Sequence, residues 1–245
     1  MRWTRAATRS RANHKTPQDY KALHAHVKGF YYDNNFTYQL VSKLYICPVM
    51  PTQSSVIIIP DTRTRILDLA EVLLLGRGFN AFSYQHLARE LGMKPAAIHY
   101  HFPRKDDLGT ALVSRQLRRL RKWRDLPRVA DLPPNEQLEA LFAVYDNHLG
   151  HDRRVCLFGA LAADFRTLPA PMQAELRTFN RELTEWLAQV LAVGRATGTL
   201  RFLGSPAAKA VQVLTTLAGA LQVARVHDET PFQVIVGQLR LELLA

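Results

Sequence analysis

At 245 residues, 47% of them hydrophobic, the chain is long enough to bury a core in one or two domains. Its net charge is +11, but the lysine and arginine excess sits in residues 1–60 and 116–128. Residues 61–115 are only mildly basic, so charge by itself does not single out nucleic acid. Two cysteines, Cys47 and Cys156, exclude a disulfide framework and point to a reducing compartment, the cytoplasm. No apolar run approaches the roughly 18 residues of a membrane span, so no membrane partner is expected.

Residues 1–60 read as an extension outside the folded domains. MRWTRAATRSRANHK is basic and free of acids, and the stretch after it shows neither helical nor alternating period. It is expected to be disordered, or to come from a start placed upstream of Met50; a DNA-gripping basic arm and a transit peptide are the functional alternatives.

Order begins near Asp61. Thr62 to Gly78 has the spacing of a helix with Ile66, Leu69, Ala70 and Leu73 on one face. Ser83 caps a second, short helix carrying Leu87, Ala88 and Leu91, and Gly92 ends it. Pro95 opens a third helix with Ile98 and Phe102 on its apolar edge. Two short helices joined through a glycine-containing turn make a helix-turn-helix, whose second helix lies in the DNA major groove. The small core of this unit is expected to be Ile66, Ala70, Leu73, Phe79, Leu87, Leu91, Ile98 and Phe102. A fourth helix follows from about Arg104 to Lys122. Its closing run, RRLRKWR, stands roughly 27 Å from the DNA-proximal start. It is read as a solvated face matched to the helix dipole, with a DNA or partner role as the alternative.

From Ile66 to Leu112 the sequence resembles the tetracycline-repressor-like (TetR/AcrR) transcription regulators. Gly78-Phe79, Leu87-Ala88, Leu91-Gly92-Met93 and Ile98-His99-Tyr100-His101-Phe102 with Lys105 carry the resemblance. Lys94, Pro95, His99 and Arg104 depart from the usual pattern, so base preference does not transfer. The sequence CLFGALAADF…LPAPMQAEL resembles one branch of the same family and extends the match to about 61–245.

The proline-rich stretch Asp125–Asn135 is expected to divide two domains. Residues 61–122 would form the DNA-binding domain with its connecting helix, and 123–245 a helical effector-binding and dimerisation domain. In that second part Leu138, Leu141, Phe142, Tyr145 and Leu149 form one apolar stripe, and a short helix spans about Val155–Phe165. Met172, Leu176, Phe179, Leu183, Trp186, Val190 and Gly194 form the longest one. Ser205-Pro206 opens a further helix and Thr230-Pro231 the last. Leu214, Leu217, Ala218, Leu221, Ile235, Val236, Leu239 and Leu243 make these two apolar over more than one face, which suits burial against a second subunit. The fold expected is all-α throughout.

Lys94, Pro95, Ala96 and Ala97 begin the recognition helix and face base edges, Lys94 towards guanine or phosphate and the alanines towards thymine methyls. The resemblance assigns Tyr100 and Lys105 to phosphate contact. His99, His101, Ser83 and Tyr84 complete the expected DNA-binding set. Phe142, Tyr145, His148, Cys156, Phe158, Phe165, Phe179 and Trp186 are the candidate ligand-binding residues, each also explicable as plain core. Cys156 is read either as a reactive thiol at a helix start beside arginines or as packing. No metal and no cofactor are expected: His99 and His101 point apart, and His148, His151, Asp152 and Cys156 are interrupted by Gly150. The function implied is DNA-binding transcriptional regulation. The expected partners are double-stranded operator DNA, an unknown small-molecule effector and a second copy of the chain. The alternative is a helical enzyme or carrier in which the helix-turn-helix serves assembly only.

Overall fold

Asp61 caps the first described helix, α1 (Thr62–Arg77), by accepting the Thr64 amide at 2.8 Å. The computed structural model describes residues 61–150, 154–227 and 231–244; the expected extension over 1–60, with His151 and Asp152, lies outside them. Helices α2 (Tyr84–Leu91), α3 (Pro95–His101) and α4 (Lys105–Arg124) follow. After them come the single turn α5 (Pro127–Ala130), α6 (Pro134–Gly150) and the short α7 (Leu157–Leu161). The 27-residue α8 (Ala170–Ala196), α9 (Pro206–Val226) and α10 (Pro231–Leu243) complete the order. No strand occurs among the described residues; Leu200 and Leu244 form an isolated antiparallel bridge. All of them belong to one compact unit, Val56–Ala245.

Two apolar clusters organise this unit. The first holds α1 to α3 and the first half of α4, and it takes in Leu157, Leu161, Leu168, Met172 and Leu176 from further along the chain. Of its expected members, all are buried except Leu91, which is half-buried; Leu74, Phe82 and Tyr84 join them. Gly109 of α4 is where the two halves touch. A Cβ there would stand 2.7 Å from the Phe79 ring and 2.8 Å from the Met172 sulfur, so only glycine admits the approach. The second cluster joins α6, α8, α9 and α10.

Several expectations change here. The stretch between Asp125 and Asn135 is not bare loop, since Pro127 nucleates α5 and buries Val129. The helix expected over Val155–Phe165 is broken into α7 and a 3-10 turn, Phe165–Thr167. Leu214, Leu217 and Leu221 of α9 and Val236, Leu239 and Leu243 of α10 are buried within their own subunit. Their breadth of apolar surface is used by α6, α8 and each other. Helix α9 is by length and hydropathy apolar enough to cross a membrane, though none of its sequence is an 18-residue apolar run. Here it serves as a core helix.

Candidate nucleic-acid interface

The reading unit is built from α2 and α3. Ser83 caps α2 by accepting the His86 amide, and the Ser83 amide donates back to His86 Nδ1 (3.3 Å). Histidine thus closes a capping box usually closed by glutamate or glutamine. Gly92 adopts the left-handed conformation (φ 63°) and Met93 N–H returns to Ala88 O (2.9 Å), turning the chain sharply into α3. Pro95 supplies the first residue of α3.

Only Ile98 of α3 is buried, with Phe102 just beyond its end. Lys94, Pro95, Ala96, His99 and Tyr100 are exposed, Ala97 and His101 half-buried. Tyr100 is 84% exposed, its ring edge-on to His101 at 5.2 Å. An α-helix, about 10–12 Å across with its side chains, fits a major groove about 12 Å wide.

Tyr84 does not belong to this surface. Its ring is buried and its hydroxyl donates to Phe102 O (2.8 Å), stapling the start of α2 to the end of α3. Burial, with Asp107 and Asp106 nearby, pushes its pKa up to about 12. Ser83 is half-buried, its oxygen engaged in the cap. His99 leans edge-on against Tyr84 (4.7 Å), and with Nδ1 protonated it donates to Pro103 O at 3.2 Å. Lys105 is neither free in solvent nor fully presented. Its ammonium lies 4.6 Å from the Phe79 ring centroid and 4.9 Å from that of Phe82, and burial lowers its pKa.

The residues that motif reading passed over are arginines. Arg63 stacks over the Phe102 ring at 4.9 Å, beside the end of the recognition helix. Arg104 pairs with Asp107 (3.3 Å), and its amide donates to Asp107 Oδ2 (3.0 Å), the reciprocal half of a capping box, while its own side chain caps no first-turn amide of α4. The run Thr62-Arg63-Thr64-Arg65 was the available signal. A cleft of 620 Å³ opens between Arg63, the α4 face Asp107–Thr110–Ser114–Arg118 and Pro171. Its walls carry both signs of charge.

Residues 66–112 match the family described as bacterial regulatory proteins, tetR family, and 134–236 match the tetracyclin repressor-like C-terminal domain. No curated protein sequence matches. Among solved structures, a TetR-family transcriptional regulator from Agrobacterium tumefaciens is 30% identical, with a TM-score of 0.67 over 75% of this chain and 97% of its own. A TetR regulator from Legionella pneumophila is also 30% identical, with a TM-score of 0.66, covering 75% of this chain and 96% of that one. A regulator from Saccharomonospora viridis, solved with choline, shares the fold at 18% identity and a TM-score of 0.61, over 75% and 97% of the two chains.

The chain belongs to the TetR family. As a TetR-family protein it is a DNA-binding transcriptional regulator rather than an enzyme, and the enzyme alternative falls.

In the C-terminal part of this TetR regulator, the candidate ligand residues do not converge as one set. Phe142, Tyr145, Cys156 and Trp186 are buried in the same cluster, and Trp186 meets Trp123 of α4 edge-on at 5.1 Å. Phe179 is half-buried and touches both clusters. His148 is half-buried with its ring 6.4 Å from Tyr145. Phe158 is 41% exposed and turns outward. Phe165 packs on the first cluster, with Arg177 over its ring at 4.8 Å. Cys156 caps α7, its sulfur accepting the Gly159 amide (3.4 Å), and burial pushes the thiol up despite that bond. Geometry favours packing over the reactive thiolate.

Proposed function

We propose that the protein is a homodimeric repressor that leaves its operator when a small molecule enters the α6–α8–α9 core. The observation that carries the dimer is a pair of outward rows. Val211, Thr215, Gly219, Gln222 and Val226 line one side of α9, and Val234, Gln238 and Leu241 one side of α10; all are exposed. Neither row carries a charge, and each repeats at three or four residues, as a helix face buried by a partner does. Small Thr215 and Gly219 allow close approach. The effector reading is supported by a core in which Tyr145, Cys156 and Trp186 are the polar-tipped side chains, and by the fold neighbour solved with choline. Release follows as a population shift: ligand favours a dimer whose α3 helices no longer match half-sites about 34–36 Å apart.

The test is footprinting on the DNA upstream of its own gene, then a metabolite screen for release. Protection that no metabolite relieves, or protection that raises transcription, would overturn ligand-relieved repression. For the dimer, Gly219→Arg is suitable because a Cβ there meets nothing within 4 Å. The variant should elute as a folded monomer that no longer protects DNA; an intact dimer would move the interface elsewhere.

A further inference from the structure

Helix α1 ends without closing on itself. Gly78 has φ 87° and ψ 161°, outside the left-handed helical conformation that would bring local amides back to the last carbonyls. Its N–H reaches Leu74 O (2.9 Å), and the next two carbonyls are satisfied from far along the chain. Leu75 O accepts from Val155 N–H (3.3 Å), and Gly76 O accepts from Arg225 Nη2 (2.6 Å), 149 residues away on α9. A guanidinium at this negative helix end is held by the dipole as well as by the bond.

The two donors are themselves connected. Val155 precedes Cys156, the cap of α7, and Gln222 Nε2 donates to Gly159 O of α7 (2.9 Å). Gln222 stands one turn before Arg225 on α9, in the exposed row facing the proposed partner. Helix α9 therefore holds α7 with one turn and the end of α1 with the next. Helix α1 packs on α2 and α3, so its tilt sets where α3 points. Over 16 residues, about 24 Å, a tilt of about 5° at this anchor moves the far end by about 2 Å.

We infer that Arg225 is a positioning residue for DNA reading: it ties the end of α1 to the dimer-facing helix and so fixes the spacing of the two α3 helices. The inference rests on the dimeric reading above. Arg225 is exposed and lies outside both cores, so its removal leaves the fold standing.

The experiment uses a duplex selected by the wild-type full chain from a random pool, and the same duplex with one base pair inserted at its centre. Insertion rotates one half-site by about 35° and should weaken the wild type at least about tenfold. Arg225→Ala should remain dimeric with an unchanged melting curve, bind the selected duplex about three- to tenfold more weakly, and lose most of the insertion penalty. Arg225→Lys, which keeps a cationic donor, should recover part of both. Amides of residues 73–80 should exchange faster in Arg225→Ala, with the rest of the chain unchanged. An Arg225→Ala dimer with wild-type affinity and the full penalty overturns the inference alone. A wild type indifferent to the insertion overturns the dimeric reading and this inference together.

Discussion

The arginines gathered near the start of α4 and those further along it meet opposite fates. Near its start, Arg63 and Arg104 stand beside the recognition helix, one over a phenyl ring and one in a largely exposed local pair. Further along, Arg115 is only 11% exposed and bonds Asp68, Glu71 and the Leu67 carbonyl. Arg119 also pairs with Glu71 (2.7 Å), Arg121 pairs with Glu182 of α8 (2.6 Å), and Arg124 joins Asp125. The run that reads in sequence as a solvated cationic face is thus largely a set of clamps between α4, α1 and α8. Density of positive charge along a chain says little about where a polyanion binds, because pairing with distant carboxylates removes much of it.

That contrast can be broken most forcefully at Glu71, which serves Arg115, Arg119 and Gln116 together. Glu71→Ala should lower stability by about 2–4 kcal/mol in urea titration, since it takes from the part-buried Arg119 the carboxylate it pairs with and leaves Arg115 only Asp68 and the Leu67 carbonyl. A loss below about 1 kcal/mol would mean the network is solvated and the two arginine groups differ less than their distances suggest.

At Lys105 both roles meet. Lys105→Ala should reduce the slope of log K against log salt by about one unit, as for one lost phosphate contact. It should also lower stability by about 0.5–1 kcal/mol through the two lost ring contacts. Loss of stability with an unchanged slope would assign the residue to packing alone. Arg119→Ala should leave the slope where it was, because its charge is already met by Glu71, whereas Arg63→Ala should lower it. Equal slopes for the two variants would erase the distinction.

The mildest effect concerns the buried thiol. Because the folded-state pKa of Cys156 is raised above the ordinary 9.0, its contribution to stability is full below that pH. Above it the unfolded chain ionises first, and stability falls as pH rises through the folded value. In a Cys47→Ser background, alkylation of Cys156 near neutral pH should keep pace with unfolding rather than with reagent access. Fast labelling of the folded protein would restore the reactive reading.

Local rules reached far into the DNA-binding unit. Asp61, Ser83, Gly92 and Pro95 mark helix ends through interactions spanning three or four residues, so their roles are visible in the string itself. Tyr84 reads in sequence as a surface residue yet turns inward, because its partner, the Phe102 carbonyl, lies 18 residues away and nothing local shows it. The C-terminal half was harder for the same reason. Phe158 and Phe142 are alike as letters, yet one turns outward and the other is 1% exposed.

Periodicity, caps and breakers are properties of neighbours in the chain, and from them alone this protein declares itself all-helical with a helix-turn-helix. Which carboxylate answers which arginine, which side of α9 faces inward, and what satisfies the carbonyls at the end of α1 depend on residues 40 to 150 positions apart. Those choices are made by packing, where burial and hydrogen-bond satisfaction act through space and leave no period to read.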